Sequence, residues 1–347
     1  MKIVVTGGAG FLGYHIGRRI NEITNFSETT FFDIAEFPKG DYAPEINCIY
    51  GDVRDAKQMD EITKGADVVI HCAAALPLWK KKDIYETNIG GMKNICESSL
   101  KNNVGRLIFI SSTSVYGVPK IHPLYETDPR VGVGPYGMTK IKSEEICEEY
   151  RKKGLKICIF RPKSFIGTAR LGVFQILYDW VESGTKIPLI GNGKNRYQLF
   201  EVEDFVDAIY LASTLPVDKI NDTFNVGAKE FKTVNEDVGA LCEYAKSGSR
   251  VMHTPAKLIK GVLAVFEFLN ISPLYKWIYG TADTDSFVSI EKAEKTLGWE
   301  PKYSNAEALI RSYQWYLDNK NNIQQCTGVT HRIAWKQGIL KVFKKFL

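Results

Sequence analysis

An α/β fold built on a doubly wound parallel sheet is predicted by three observations. Short β-branched apolar runs alternate with stretches of helical period through the first half of the chain. The first of these runs passes directly into a glycine-rich turn that opens a helix. Beyond Pro162 the rhythm changes, which points to a smaller lobe interleaved with the sheet. Strand, helix, strand in repetition requires right-handed crossovers and therefore parallel pairing.

Taken in order, the apolar runs lie at 2–6, 29–33, 48–50, 68–71, 106–111 and 156–160, with helices expected from Phe11, through 88–100 and from Tyr136. The loops then lengthen around Gly191-Asn192-Gly193, strands recur at 198–202 and 223–226, and helical patterns dominate from 234 to 319. The expected division is a dinucleotide-binding domain over 1–165 with sheet returns within about 196–230, a mainly substrate-binding lobe over 166–326, and a basic tail over 327–347. No internal repeat is visible.

With 347 residues, 44% hydrophobic and 24% charged, the chain has the composition of a globular protein with a full core. No signal peptide is read at the N-terminus, because Met1-Lys2 runs straight into the first strand, so a cytoplasmic location is expected. Seven cysteines without a Cys-x-x-Cys pair read as reduced, buried small hydrophobes, and five histidines without ligand spacing give no metal site. The net charge of +5 comes from the segment after Gln325, where Arg332, Lys336, Lys341, Lys344 and Lys345 stand without an acid. The remaining body is balanced, which argues against a nucleic-acid surface. The most apolar stretch, 256–274, contains Lys257, Lys260 and Glu267 and reads as a lobe helix, not a membrane span.

The turn Thr6-Gly7-Gly8-Ala9-Gly10-Phe11-Leu12-Gly13 lies between strand and helix. A dinucleotide needs such a turn: tight, free of Cβ where the pyrophosphate lies, and ending on a helix N-terminus. Gly7, Gly10, Phe11, Leu12 and Gly13 are the expected contacts of a Rossmann-type site. Asp33 ends the next strand twenty residues after Gly13, where a carboxylate accepts bonds from the adenosine ribose and repels a 2′-phosphate, so NAD is expected over NADP. Asp52 and Val53 are placed at the adenine, and the small residues Ala73 and Ala74 let the chain pass close to the cofactor.

Catalytic candidates follow the next strand. Ser112 stands in the run Ser111-Ser112-Thr113-Ser114-Val115-Tyr116-Gly117, and Tyr136 and Lys140 share one helix face at i and i+4. A free phenol, with a pKa of about 10, is a poor acid–base catalyst at neutral pH. A neighbouring ammonium and a positive nicotinamide ring both favour the phenolate. Tyr136 is then expected to exchange a proton with a substrate oxygen while hydride passes between substrate carbon and nicotinamide; Lys140 also holds the nicotinamide ribose and Ser112 orients the oxygen.

These segments, TGGAGFLG, GDVRD, SSTSVYG, YGMTK, Arg161-Pro162, VEDFVDAI and LGWEPKYSNAEALIRSYQWYL, occur in the order of the extended short-chain dehydrogenase/reductase family, also called the NAD-dependent epimerase/dehydratase family, which the chain resembles from Lys2 to about Asn319. The resemblance implies that Ser112 is the catalytic hydroxyl, that Asn88 braces the site, that Pro162 lies beside the nicotinamide, and that the chain forms a homodimer. For Asp204, a helix N-cap and a ligand contact stay equally open.

Two substrate classes are open at this point. Sugar-nucleotide members hold the diphosphate with an Asn and an Arg at positions that here carry Ser164 and Tyr197, with Arg196 one residue out of register and Lys163 as a substitute cation. That departure, the apolar stretch 256–274 and the tail favour a lipid-like or sterol-like 3-oxo/3-hydroxy substrate over a sugar nucleotide. A non-catalytic NAD-binding scaffold is the third reading, although such chains typically lose the Tyr or the Lys retained here. At 100° per residue, Trp335, Ile339, Leu340, Val342, Phe343, Phe346 and Leu347 fall within one arc opposite most of the lysines, so the tail is expected as an amphipathic helix on an anionic membrane surface, with docking on the protein's own body as the alternative.

Overall fold

The computed structural model describes residues 1–20, 28–77, 79–268 and 276–323, together with Lys344. In chain order the first half runs β1 (Lys2–Thr6), α1 (Phe11–Arg19), β2 (Glu28–Asp33), β3 (Ile46–Tyr50), α2 (Ala56–Thr63), β4 (Val68–His71), α3 (Lys81–Tyr85), α4 (Gly91–Lys101), β5 (Arg106–Ile110), α5 (Gly134–Lys152) and β6 (Ile157–Pro162). The second half runs β7 (Ser164–Ile166), α6 (Val173–Glu182), β8 (Ile187–Ile190), β9 (Leu199–Glu201), α7 (Val202–Thr214), α8 (Val217–Ile220), β10 (Thr223–Val226), α9 (Val234–Ala245), β11 (Val251–Thr254), α10 (Ala256–Phe268), α11 (Lys276–Thr281), α12 (Glu291–Leu297) and α13 (Asn305–Ile323).

Seven strands form one parallel sheet in the order β10-β6-β5-β4-β1-β2-β3. The central strands are apolar on both faces, as a sheet covered on both sides requires: Ile3, Val4, Val5, Val68, Val69 and Ile70 are fully buried. One core packs α1, α7 and α12 against one face through Phe11, Ile16, Phe205, Ile209 and Leu297. A second packs α2, α4 and α5 against the other through Met59, Ile95 and Cys147. The chain leaves β1 outward through β2 to β3, then crosses back to β4 and proceeds the other way. That reversal opens a crevice between β1 and β4, at the C-terminal ends of the strands.

Of the two expected sheet returns, 223–226 joins the main sheet as β10, paired with β6, whereas 199–201 pairs with β7 in a separate two-stranded sheet. The second lobe has its own core, in which Tyr178, Val181, Leu241 and Tyr313 bring α6, α9 and α13 together. The helix expected over 256–274 is seen as α10, and 269–275 lie outside the described residues. Of the tail, only Lys344 is described, and its ammonium pairs with the Asp179 carboxylate on α6; the rest of 335–347 lies outside the described residues. Among the described residues no helix is long and apolar enough to cross a membrane. Every described cysteine is free, with Cys48 exposed and Cys72 partly so.

One ionic cluster ties α5 to the ends of β5, β6 and β10, on one side of the crevice. Glu144 on α5 is fully buried, and its Oε1 accepts from Ser111 Oγ at 2.6 Å and Arg161 Nε at 2.9 Å. Its Oε2 accepts from Arg161 Nη2 at 2.7 Å and Arg130 Nη1 at 3.1 Å. Arg161 also donates to Tyr116 Oη at 2.7 Å, and that hydroxyl donates to Asn225 on β10 at 2.7 Å. Removing one partner of a buried pair strands the other, so Glu144→Ala is expected to lower the unfolding free energy by about 3–5 kcal/mol in chemical denaturation. A loss below about 1 kcal/mol, the range of a surface pair, would show that the cluster does not hold α5 to the sheet.

Candidate active site

A cavity of 760 Å³ opens over the C-terminal ends of the central strands. Its wall takes in Gly7, Gly10, Phe11, Leu12, Asp33, Asp52, Val53, Ala73, Ala74, Ser112, Tyr136, Lys140, Pro162 and Ser164; Gly13 and Arg196 are not part of it. Its size lies within the range of about 300–1,000 Å³ usual for small-molecule sites.

The glycine turn shows why only glycine serves there. Gly7 has φ +74°, and a Cβ on it would stand 2.6 Å from the backbone nitrogen of Ala73, so the turn and the strand end of β4 touch backbone to backbone. A Cβ on Gly13 would lie 2.4 Å from the carbonyl oxygen of Gly8, which explains its place behind the cavity: it lets α1 close onto the turn. Gly10 caps α1 without a side-chain hydrogen bond, so the first amides of that helix are offered to an external acceptor. This Cβ-free cradle fits a dinucleotide phosphate.

Asp33 organises the same turn. Its Oδ2 accepts from Ala9 N and its Oδ1 from Ala35 N, both at 2.9 Å. Burial raises its pKa, and the backbone amides of Ala35, Ala9, Ile34 and Gly10 oppose that rise. Asp52 differs from the expectation that it offers a carboxylate and an amide to the adenine. Its carboxylate is held by Arg54 Nε at 2.8 Å and Nη2 at 2.5 Å, and its amide donates to Gln58 Oε1 at 2.9 Å. Burial opposes the charge on Asp52, but the Arg54 hydrogen bonds outweigh it and hold the pKa below the usual range.

On the β5–β6 side of the cavity, where the catalytic residues are expected, Ser112 caps a 3₁₀ turn over Thr113–Tyr116, its Oγ accepting from Ser114 N at 3.1 Å. An oxygen that accepts from its own turn has its proton left to donate elsewhere. Pro135 in the first turn of α5 pre-sets the helix entry, and Tyr136 follows it. Lys140 is buried; its Nζ donates to Ile110 O at 2.7 Å and lies 5.7 Å from the Tyr136 ring centroid. Burial lowers its pKa to about 8, against which Cys72 and Glu144 act. Asn88 ties the neighbouring loop to α5, accepting from Ala75 N at 2.8 Å and donating to Thr139 Oγ1 at 3.0 Å, while Ser143 Oγ donates to its carbonyl at 2.9 Å.

Other titratable groups nearby are unsuited to proton exchange at neutral pH. His71 is buried against Thr6 and its pKa falls to about 3, so the ring stays neutral. Burial pushes the Cys72 thiol up to about 12. Among the described residues no cluster of His, Cys, Asp or Glu could hold a metal ion.

Toward the second lobe, Ser164 Oγ and Tyr197 Oη lie 3.3 Å apart, and Thr113 Oγ1 donates to the Pro162 carbonyl at 3.3 Å. Arg196 is held elsewhere: its guanidinium lies 4.7 Å from the ring centroids of both Phe231 and Phe287. Asp204 sits in the first turn of α7, where it accepts from Tyr303 N at 3.1 Å, and it is not a cavity residue. Lys163, the expected substitute cation, is in the cavity wall, and the structure adds Arg54 and Arg170 to it. The Arg170 guanidinium lies 5.0 Å from the Phe11 ring, beside the glycine turn, in a loop whose sequence spacing carries no mark of that position.

Residues 3–227 match the NAD dependent epimerase/dehydratase family. An uncharacterized protein of Sinorhizobium fredii, y4nG, is 32% identical over 97% of this chain and 84% of its own. A putative UDP-glucose 4-epimerase of Methanocaldococcus jannaschii is 27% identical over 91% of this chain and 99% of its own. Among solved structures, a UDP-glucose 4-epimerase of Thermotoga maritima with UDP-glucose superposes with a TM-score of 0.77 at 25% identity, covering 92% of this chain and all of that one.

Because Asp33 steadies the turn and its carboxylate lines the cavity, Asp33→Ala is expected to weaken NAD binding and to bring its affinity within about threefold of that for NADP, where the native chain is expected to favour NAD by about tenfold or more. Calorimetric titration of both proteins with both nucleotides checks this. Equal affinities in the native chain would contradict it.

Proposed function

We propose that this chain, which belongs to the NAD dependent epimerase/dehydratase family, is an enzyme that binds NAD along the β1–β3 side of the cavity and inverts a secondary alcohol carbon on the sugar of a nucleotide sugar. The observation that carries this reading is the shared wall on which Ser112, Tyr136 and Lys140 meet the glycine turn. Likeness to UDP-glucose 4-epimerases supports the substrate class. The preference for a lipid-like substrate therefore gives way to the sugar-nucleotide alternative.

Gly7, Gly10 and the first amides of α1 would hold the pyrophosphate, Asp33 the adenosine ribose, and Lys140 the nicotinamide ribose. Bound NAD supplies a hydride acceptor that becomes a hydride donor. Tyr136 takes the proton of the substrate hydroxyl as its carbon–hydrogen bond breaks and returns it when that bond is remade. Ser112, with its oxygen already engaged by Ser114 N, donates to the substrate oxygen and holds it toward Tyr136. Lys140, near the Tyr136 ring, favours the phenolate while it carries its proton.

Elimination of water is the other reaction in the family's name, and it needs an acid and a base besides the tyrosine. The carboxylates in the cavity wall are Asp33 and Asp52, the first bound to the glycine turn and the second to Arg54. Beside Ser112 stand two more hydroxyls, Thr113 and Ser114. This favours epimerisation over dehydration. For the tail, the Lys344–Asp179 pair favours docking on the protein's own body over a membrane surface.

NAD-loaded protein incubated with UDP-glucose, UDP-galactose or UDP-N-acetylglucosamine is expected to give the 4-epimer by NMR, with Tyr136→Phe reducing turnover by about 100-fold or more while far-ultraviolet dichroism stays native. Near-normal turnover in that variant, or a dehydrated 4-keto product from the native enzyme, would overturn the mechanism.

A further inference from the structure

Four cations stand in the cavity wall: Arg54, Lys140, Lys163 and Arg170. Arg54 is bound to Asp52, Lys140 to the carbonyl at the end of β5, and Arg170 stacks beside the glycine turn. Lys163 is different. It follows Pro162 at the end of β6, it is 3% exposed, and no carboxylate pairs with it among the described residues. Its Nζ donates to the Ser286 hydroxyl at 2.7 Å and lies 4.8 Å from the Tyr197 ring centroid. A neutral hydroxyl and an aromatic face leave a buried ammonium short of its counter-charge, an arrangement that costs stability unless something anionic completes it. Burial accordingly lowers the Lys163 pKa to about 7.

The neighbours place this cation on the substrate side. Pro162 is bonded to Thr113 beside Ser112, and the next residue, Ser164, meets Tyr197. Resting on the sugar-nucleotide reading above, we infer that Lys163 is the receptor for an oxyanion of the substrate, a diphosphate oxygen or a carboxylate carried on the hexose ring, which enters as the counter-ion that the buried ammonium lacks. The cavity is then selective for anionic substrates through a lysine and not through the expected Arg196, which is exposed, lies over the paired rings of Phe231 and Phe287 and is not part of the cavity wall.

The test compares the native chain with Lys163→Met and Lys163→Arg, each loaded with NAD, by calorimetry with UDP, UDP-glucose, UDP-glucuronate and inorganic pyrophosphate. Lys163→Met is expected to weaken anion binding by about tenfold or more, and Lys163→Arg to recover most of it, with NAD affinity unchanged in both. A deficit shared by all three nucleotides identifies the diphosphate; one confined to UDP-glucuronate identifies the ring carboxylate. Ligand-free Lys163→Met should melt no lower than the native chain, since it removes an uncompensated charge. Affinities equal in the native and Met proteins for every ligand, or a Met variant that melts lower and binds normally, overturn the inference. A native chain that binds NAD but none of the three nucleotides overturns the sugar-nucleotide reading instead; pyrophosphate then decides for Lys163, its binding lost in the Met variant in support, and equal or absent binding against.

Discussion

The geometry of the site depends on the buried carboxylate of Glu144. It receives four hydrogen bonds, from Ser111 at the end of β5, from Nε and Nη2 along one edge of the Arg161 guanidinium on β6, and from Arg130 in the segment leading to α5. Glu144 lies one helical turn beyond Lys140 on α5, so fixing it fixes the register of Tyr136 and Lys140 against Ser112. An apolar contact could hold the helix as firmly but would allow it to slide or rotate. Directional bonds to two strands do not. Arg161 extends the constraint through Tyr116 to Asn225, so β10, the strand returned by the second half of the chain, belongs to the same frame.

Charge is distributed along the cavity with the same economy. The cavity's carboxylates, Asp33 on the turn and Asp52 paired with Arg54, lie on the β1–β3 side, to which the proposed function assigns the adenosine end of NAD. The opposite end has hydroxyls, a phenol and two buried lysines, Lys140 and Lys163. In the proposed reaction, a wall without carboxylates beside Tyr136 suits proton exchange through Tyr136 alone, and it suits an anionic substrate. Both lysines are held below the ordinary ammonium range chiefly by burial, which ties their charge to what fills the cavity.

Much of this was legible in the sequence because the relevant signals are local. Strands such as 2–6, 68–71 and 223–226 have their observed limits in their β-branched runs, and the glycine turn and the Tyr136–Lys140 pair need only short-range spacing to be read. What depends on long-range pairing was not. The run at 198–202 is a strand, but a short apolar run does not name its partner, and β9 pairs with β7 instead of the main sheet. Asp52 was legible as a strand-end acid, whereas its capture by Arg54 two residues on was not. Arg196 looked available by register, yet Phe231 and Phe287, distant in sequence, hold it. Arg170 and the isolation of Lys163 emerge only when the loops after β6 and β7 are folded over the crevice.

A crystal structure of the chain with NAD and a UDP-hexose tests the central claim most directly. The account predicts the dinucleotide across the glycine turn with its ribose on Asp33, the hexose hydroxyl within hydrogen-bond distance of both Tyr136 and Ser112, and a substrate oxyanion on Lys163. A hexose bound away from Tyr136, or NAD lying elsewhere than over the β1–α1 turn, would contradict it.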